Sequence, residues 1–595
     1  MKKILLLLPA LFGFGLLTAQ NNYSKEVEEQ IKQVENNLCG RVRIEGQAPY
    51  NISERMAYYK VKGLSVAVVQ NYQLVWAKGY GWADEKEKRP VTPQTLFEPG
   101  SISKSFNALG VLKLAQDKKL DLNTDINTYL RSWKFPYDSL SKNKKITLMH
   151  LLSHSAGLTV HGFPGYDRKA KIPSLIEVLD GKKPANTPAV RSQFEPGLRF
   201  QYSGGGTTIS QLLVNDITQK PYDKFIEETV FKPLGMDHSF YTQPPSEKNL
   251  NQLASAYYED GTAVPNNFHV YPEQGAAGLW TTPTDICKYI IETQLTYEGK
   301  SSKVLNQEMT KLRLTPYNDK SAALGVFMED RDGAKYFQHG AGNEGFRGIY
   351  YGSLESGNGL AIFVNSDNSF IFDELINSIS MVYKWKGFKT PITKKTVTVP
   401  DSTLQKYVGF YTMARNRFVT ILKKEDGYYQ YADGTYGKMY FTSPTDYFNM
   451  DYPSEKHFVS DVSGKLSGFV RTANGGTLFA VRFDRPDTLT GNEDMFNSAG
   501  WHYLETKNYK QAELFLKRGL TLHPKSLLIE GNLAHAYLFQ NDYDSAIKIY
   551  LAHLNESINH DYKWKDMIKD DFSFFKKNGV DESLMNKVLK ELKLN

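Results

Sequence analysis

The residues best placed to do chemistry are Ser101 and Lys104, in the stretch Phe97-Glu-Pro-Gly-Ser101-Ile-Ser-Lys104-Ser-Phe. Pro99-Gly100 breaks the preceding element, and the apolar spacing that follows predicts a helix from Ser101 to about Gln116. A serine at a helix start faces the unpaired amides and the positive end of the dipole, which favour negative charge developing on its oxygen. Lys104, three residues on, lies on the same helical face and brings its amine toward the Ser101 hydroxyl. A lysine buried there has its charged form disfavoured, so it can help take or relay a proton. That is the chemistry of a nucleophilic serine with a neighbouring base.

The spacing alone is not specific. Ser139/Lys142 and Ser141/Lys144 share it, in a polar loop where they signify nothing. The bland reading of the Ser101 copy is a capped helix with a solvent-facing lysine; the breaker before it and the apolar helix after it set it apart. His150 and His154 stand i, i+4, which on a helix turns two imidazoles to one face, as in some zinc sites. Leu151 stands where H-E-x-x-H has its glutamate, so packing and hydrogen bonding account better for the pair. Gly204-Gly-Gly206 lacks the Lys-Ser/Thr of a phosphate loop and reads as close backbone approach behind Tyr202. The sequence implies no metal and no cofactor.

Positioning the Ser101/Lys104 pair requires a framework. Residues 23 to 38 carry apolar positions at helical spacing: Val27, Ile31, Val34 and Leu38. Leu64 to Val69 and Leu74 to Ala77 are β-rich runs split by Gln70-Asn71-Tyr72-Gln73, a hairpin signal. Helical and loop signals alternate to about residue 300. Gly348 to Tyr351 and Leu360 to Val364 then read as a second strand pair, and about Phe372 to Trp385 as a helix. Strands at both ends with helices between them describe an α+β layer fold, one antiparallel sheet closed by elements from both chain ends. Lys394 to Ser402 turns polar around Pro400 and reads as a linker. Residues 403 to 485 hold short β candidates punctuated by Gly and Asp, as in a β-meander or small barrel. In the tail, Tyr503, Tyr509, Ala512 and Phe515 recur 34 residues later as Tyr537, Tyr543, Ala546 and Ile549, and Gly500 answers to Ala534.

Over roughly residues 40 to 390 the sequence resembles the serine β-lactamase and penicillin-binding-protein superfamily, nearest the branch of class C β-lactamases, D-aminopeptidases and esterases. The Ser101/Lys104 pair is its first signature. The tyrosine of its Y-x-N motif looks like Tyr202 in Phe200-Gln-Tyr202-Ser-Gly204. Its K-T-G or H-x-G element looks like His339-Gly340-Ala341-Gly342. Similar connecting text appears in Ile146 to Gly157, Lys232 to Met236 and Gly278 to Asp285. The resemblance implies a β-lactamase/transpeptidase-like sheet flanked by helices. It also implies that Ser101 attacks a carbonyl to form an acyl-enzyme and that Tyr202, held near Lys104, acts as base and then acid. Tyr202 and Lys104 are best treated as a unit, since the base is disputed in related enzymes. Backbone N–H groups of Ser101 and Gly342 would form the oxyanion hole, His339 would line the pocket opposite Tyr202, and Gly340 and Gly204 would adjoin the substrate. Two departures matter. Gly204 replaces the usual Asn, and His339-Gly340-Ala341 replaces Lys and the closing Gly of the third motif. Both lean away from β-lactam hydrolysis toward an esterase, amidase or peptidase, and an Asn restored at 204 should raise β-lactam turnover if that departure sets the substrate preference. The 34-residue period of the tail resembles the tetratricopeptide repeat. A short helical hairpin packed against its own protein and a peptide-binding scaffold are both open.

At 595 residues the chain is too long for one core, and 41% hydrophobic with 23% charged residues is an ordinary globular composition. Lys2-Lys3, the apolar run Ile4 to Leu17 and Thr18-Ala19 read as a signal peptide. Its loss takes the formal charge from +7 to +5, with no basic block that would track nucleic acid. Cys39 lies too far downstream for a lipid anchor, no later run is long enough to span a membrane, and a soluble periplasmic or secreted protein is expected. Cys39 and Cys287 either pair or stay as buried thiols. The expected organisation is a signal peptide over 1–19, a serine hydrolase domain over 20–393, a small β domain over 400–485 and a tetratricopeptide-like helical domain over 490–595. The β domain either caps the hydrolase domain or binds glycan. The expected function is hydrolysis of an ester or amide substrate, small molecule or peptide, through an acyl-enzyme. The alternative is a non-catalytic sensor or scaffold that binds a protein partner through residues 490–595.

Overall fold

The stretches Gly63 to Gln70 and Gly359 to Val364 are apolar nearly throughout, as strands covered on both faces must be. In the computed structural model they are neighbours in a seven-stranded antiparallel sheet, Leu64, Val66 and Val68 standing opposite Val364, Ile362 and Leu360. The structure describes residues 23–594 apart from 389, 414–416, 433–434, 451–453, 474–475, 484–492 and 559–561; the expected signal peptide lies outside them. The chain falls into two compact units, residues up to 40 with 48–391, and 41–47 with 392 onward.

The sheet of the first unit runs in the order Arg89–Pro90, Gln73–Asp84, Gly63–Gln70, Gly359–Val364, Phe346–Ser353, Ala334–Asn343, Phe327–Arg331. Asn71 and Tyr72 make the first hairpin turn, both with positive φ (51° and 62°), the two-residue geometry that suits the twist of paired strands. Side chains alternate between two cores. Leu64, Val66, Val68 and Ile362 pack with Ile31 and Val34 of the helix Lys25–Glu35 and with Ile371, Leu375 and Ile379 of the helix Ile371–Val382. Ser378 Oγ ties these helices by donating to Val34 O at 2.7 Å. Ala67, Val69, Ala361 and Phe363 face the larger core, which holds the helices Ser103–Gln116, Gly204–Thr218 and Pro283–Tyr297. Each fully buried Val, Leu or Ile here contributes roughly 1.5–3 kcal/mol over its exposed state. Cys39 and Cys287 are both buried thiols outside any disulfide.

The second unit begins with a short parallel pair, Val42–Ile44 beside Ile392–Lys394. A nine-stranded antiparallel sheet follows, from Thr435–Lys438 at one end to Tyr440–Phe441 at the other. Only Met439 separates those two end strands in sequence, so the sheet curls into a nearly closed barrel. Asn449 Nδ2 bridges toward the first strand, donating to Gly437 O at 3.0 Å and Lys438 O at 2.9 Å. Tyr411, Val419, Ile421, Tyr447, Phe458 and Phe469 form the barrel core. The helical tail holds two hairpins whose helices start 34 residues apart, Glu493–Glu505 with Tyr509–Leu522 and Leu527–Phe539 with Tyr543–Ala552, then the helices Trp564–Lys577 and Ser583–Glu591. Phe410 of the sheet lies 4.4 Å from the Tyr503 ring, so barrel and tail share a core. Among the described residues no helix is long and apolar enough to cross a membrane.

Candidate active site

Gly100 turns the chain into the site. Its φ is +56°, and a Cβ there would stand 2.6 Å from Asn343 Oδ1 and 2.8 Å from the Gly342 carbonyl carbon. Residues Gly100–Ile102 form a 3₁₀ turn, and the α-helix begins only at Ser103, whose Oγ donates to Gly100 O at 2.6 Å. The expected helix start at Ser101 is therefore moved by two residues: the left-handed glycine and the strand beside it tighten the first turn. In a 3₁₀ turn side chains at i and i+3 eclipse, so Lys104 still comes over Ser101. Its Nζ donates to Ser101 Oγ at 3.0 Å and to Ala276 O at 2.7 Å. Lys104 is 4% exposed, and among the described residues no carboxylate pairs with it.

Ala276 lies on the short helix Gln274–Ala277, which Asn343 Nδ2 also holds by donating to Ala277 O at 2.9 Å. Tyr202 precedes the helix Gly204–Thr218, whose N-cap Ser203 Oγ accepts from Gly206 N–H at 3.0 Å. Its ring centroid is 5.1 Å from Lys104 Nζ. Among the described residues its phenol makes no hydrogen bond to Ser101 or Lys104, so the structure brings Ser101 and Lys104 into direct contact and Tyr202 only beside them. Catalytic hydrogen bonds of unliganded sites commonly tighten only when substrate is bound.

His339 projects from the strand Ala334–Asn343, and Phe327 lies 5.2 Å from its ring and 6.4 Å from that of Tyr202. Its Nδ1–H donates to Gly340 O at 2.7 Å, and its buried Nε2 has no partner among the described residues. Burial, then the charge of Lys104, hold its pKa down to about 3, so the ring is neutral with Nε2 as an open acceptor. Gly340 and Gly342 sit farther along the strand. The turn Glu344–Gly345 makes Asn343 and Phe346 the closing pair of the hairpin. The ladder alternates, so the peptide groups of Gly342, opposite Arg347, point off the other strand edge toward the Gly100 turn.

Gly204 is hemmed in: a Cβ there would stand 2.9 Å from Phe163 Cε2. The other singled-out histidines are not on one helix face. The helix is Leu148–Leu152, so His154 lies beyond it, and their Nδ1 atoms accept from Thr147 N–H and Ser203 N–H at 3.2 Å each. Sequence reasoning missed Ala276, Phe327 and Phe163, which belong to segments carrying no motif. It also undervalued His154, whose ring lies 4.2 Å from that of Tyr202.

The beta-lactamase family matches residues 50–376. Protein flp of Staphylococcus aureus strain N315 is 28% identical over 271 residues, which is 43% of this chain and 50% of that protein. The chain thus spans about half the length of this curated relative. PbpX of Bacillus subtilis strain 168 is 25% identical over 357 residues, 60% of this chain and 81% of its own. The octameric penicillin-binding protein homologue from Pyrococcus abyssi has the same fold, with a TM-score of 0.51 at 20% identity over 72% of this chain and 98% of that one. The matched residues make up more than half of the sequence and include Ser101, Lys104, Tyr202 and His339, and on that ground this chain belongs to the beta-lactamase family.

Proposed function

We propose that the protein is an exported serine hydrolase that cleaves an ester or amide through an acyl-enzyme on Ser101. The observation that carries this reading is the buried Lys104 amine 3.0 Å from Ser101 Oγ. Ser101 Oγ attacks the substrate carbonyl carbon, and its proton passes to the Lys104/Tyr202 unit. That unit returns a proton to the leaving alcohol or amine, and water then cleaves the ester on Ser101 by the same route in reverse. The N–H groups of Ser101 and Gly342 receive the carbonyl oxygen as it gains charge, an effect worth roughly 3–4 kcal/mol per donor in comparable hydrolases. His339, held neutral, offers Nε2 as an acceptor to substrate and adds no second cation beside Lys104.

The aromatic ring at Gly204 and the absence of a lysine at 339 favour an ester, amide or peptide over a β-lactam. The helical tail, with its 34-residue offset between hairpins, supports a tetratricopeptide-like module able to hold a protein partner. The test is initial rates of the purified protein on a p-nitrophenyl ester, a chromogenic cephalosporin and a peptide ending in D-Ala-D-Ala, with Ser101→Ala as the blank. Turnover lost in the variant supports the nucleophile, and the fastest substrate names the class. If none turns over and a fluorophosphonate fails to label Ser101, the hydrolase reading is wrong and a binding role for this fold takes its place.

A further inference from the structure

Tyr202 has a partner that the reaction above does not use. His154 follows the helix Leu148–Leu152 with its backbone in the left-handed region, at φ +56°, which is uncommon for a residue with a side chain. There it meets residues 201–203 through three separate groups. Its carbonyl accepts from Gln201 N–H at 2.7 Å. Its Nδ1 accepts from Ser203 N–H at 3.2 Å. Its ring lies against that of Tyr202, with centroids 4.2 Å apart and planes inclined by 35°. The imidazole is itself enclosed by Phe327, nearly parallel at 6.4 Å, and by Phe200, edge-on at 6.1 Å, and it is 5% exposed. An Nδ1 that accepts a hydrogen bond carries no proton. Burial, then the charge of Lys104, push the pKa of His154 well below its ordinary value and keep it in that form. One residue thus fixes the amide before Tyr202, the amide after it and the face of its ring.

We infer that His154 is a positioning residue: it sets the direction of the Tyr202 ring toward Lys104 and Ser101, and acylation of Ser101 depends on it although it does not touch the reacting atoms. The inference rests on the part given above to Tyr202. Packing against the apolar core would explain the burial of an imidazole, but not the convergence of carbonyl, Nδ1 and ring face on one three-residue segment. A catalytic group displaced by about 1 Å loses on the order of a hundredfold in rate, so a loosened Tyr202 has a measurable consequence.

The test follows saturable labelling of Ser101 by a fluorophosphonate in the full chain, separating kinact from KI. The proteins compared are wild type, His154→Phe, His154→Asn, Tyr202→Phe and the two double substitutions. Phe keeps a ring on Tyr202 and loses the acceptor; Asn keeps an acceptor and loses the ring. Each substitution at 154 is expected to lower kinact roughly ten- to hundredfold while KI stays within about threefold. In the Tyr202→Phe background neither should lower it by more than about a further twofold. Equal losses in both backgrounds would overturn the inference and leave the part of Tyr202 standing. A Tyr202→Phe protein that labels as fast as wild type would overturn the part of Tyr202, and the inference with it. Thermal unfolding of each variant runs alongside, and if His154→Phe does not fold, His154→Asn carries the comparison.

Discussion

The ring of Phe163 occupies the space that any side chain on Gly204 would need. A Cβ at 204 would lie 2.9 Å from Phe163 Cε2, 3.4 Å from its Cδ2 and 3.5 Å from His161 O. The amide missing from the tyrosine motif is therefore replaced by an aromatic wall. An Asn restored at 204 would meet this ring, so the effect of that substitution on β-lactam turnover depends on Phe163 as well. Gly204→Asn alone should overpack the site, destabilising the protein by about 1–3 kcal/mol, and should leave cephalosporin hydrolysis no faster. Gly204→Asn together with Phe163→Ala should exceed both single variants in kcat/KM on the chromogenic cephalosporin. A double variant no better than the singles would show that this wall does not exclude β-lactams.

Ser101→Ala should abolish turnover and barely alter stability. Its hydroxyl caps no helix, and its hydrogen bond comes from Lys104, so the change should amount to about 1 kcal/mol or less. Steady-state rates and thermal unfolding on the same preparation check both halves. Full activity in the variant on every substrate the wild type cleaves would remove Ser101 from the mechanism.

Lys104→Ala and Tyr202→Phe should each reduce kcat by roughly 10²–10⁴ if they transfer the proton as a unit. Their losses should then fail to add, the double variant being little slower than the worse single one. Additive losses would mean that the two side chains act in separate steps.

Glu273 opens the short helix that carries the Lys104 acceptor Ala276. It is fully buried, among the described residues no other residue bonds its carboxyl oxygens, and burial raises its pKa to about 8. The unfolded value is about 4.5, so the folded state is favoured in full below that pH, and the advantage is lost as pH rises through about 8. The wild type should therefore be less stable at pH 8 than at pH 5, by on the order of a few kcal/mol. Glu273→Gln, which keeps the shape and cannot ionise, should flatten that slope in denaturant unfolding. An unchanged slope would mean that other groups govern the pH dependence.

The contact between Ser101 and Lys104 was legible because it depends on residues three apart, and a three-residue offset survives whether the turn is 3₁₀ or α. The α-helix start was not, because it depends on Gly100 meeting a strand more than two hundred residues away. The central strands could be read from their unbroken apolar runs, and the tail from its 34-residue recurrence. The hold of His154 on Tyr202 and of Phe163 on Gly204 could not, because each joins segments more than forty residues apart through ring faces that leave no periodic trace. The barrel was expected as a domain of its own. It shares a core with the tail because Phe410 and Phe418 turn away from the barrel interior toward Tyr503 and Phe515.

Leu64 and Val364, partners in the middle of the first sheet, are 300 residues apart in the chain. The ribosome makes the hairpin Gly63–Asp84 early, and one long apolar edge of it stays open until the strand Gly359–Val364 emerges. Contacts this distant in sequence form slowly, and an open edge invites pairing with other chains in the interval. A nascent chain of this protein thus has a built-in period of exposure to aggregation, set by the time needed to synthesise the residues between its two central strands, and any chaperone that guards it must hold it for at least that long.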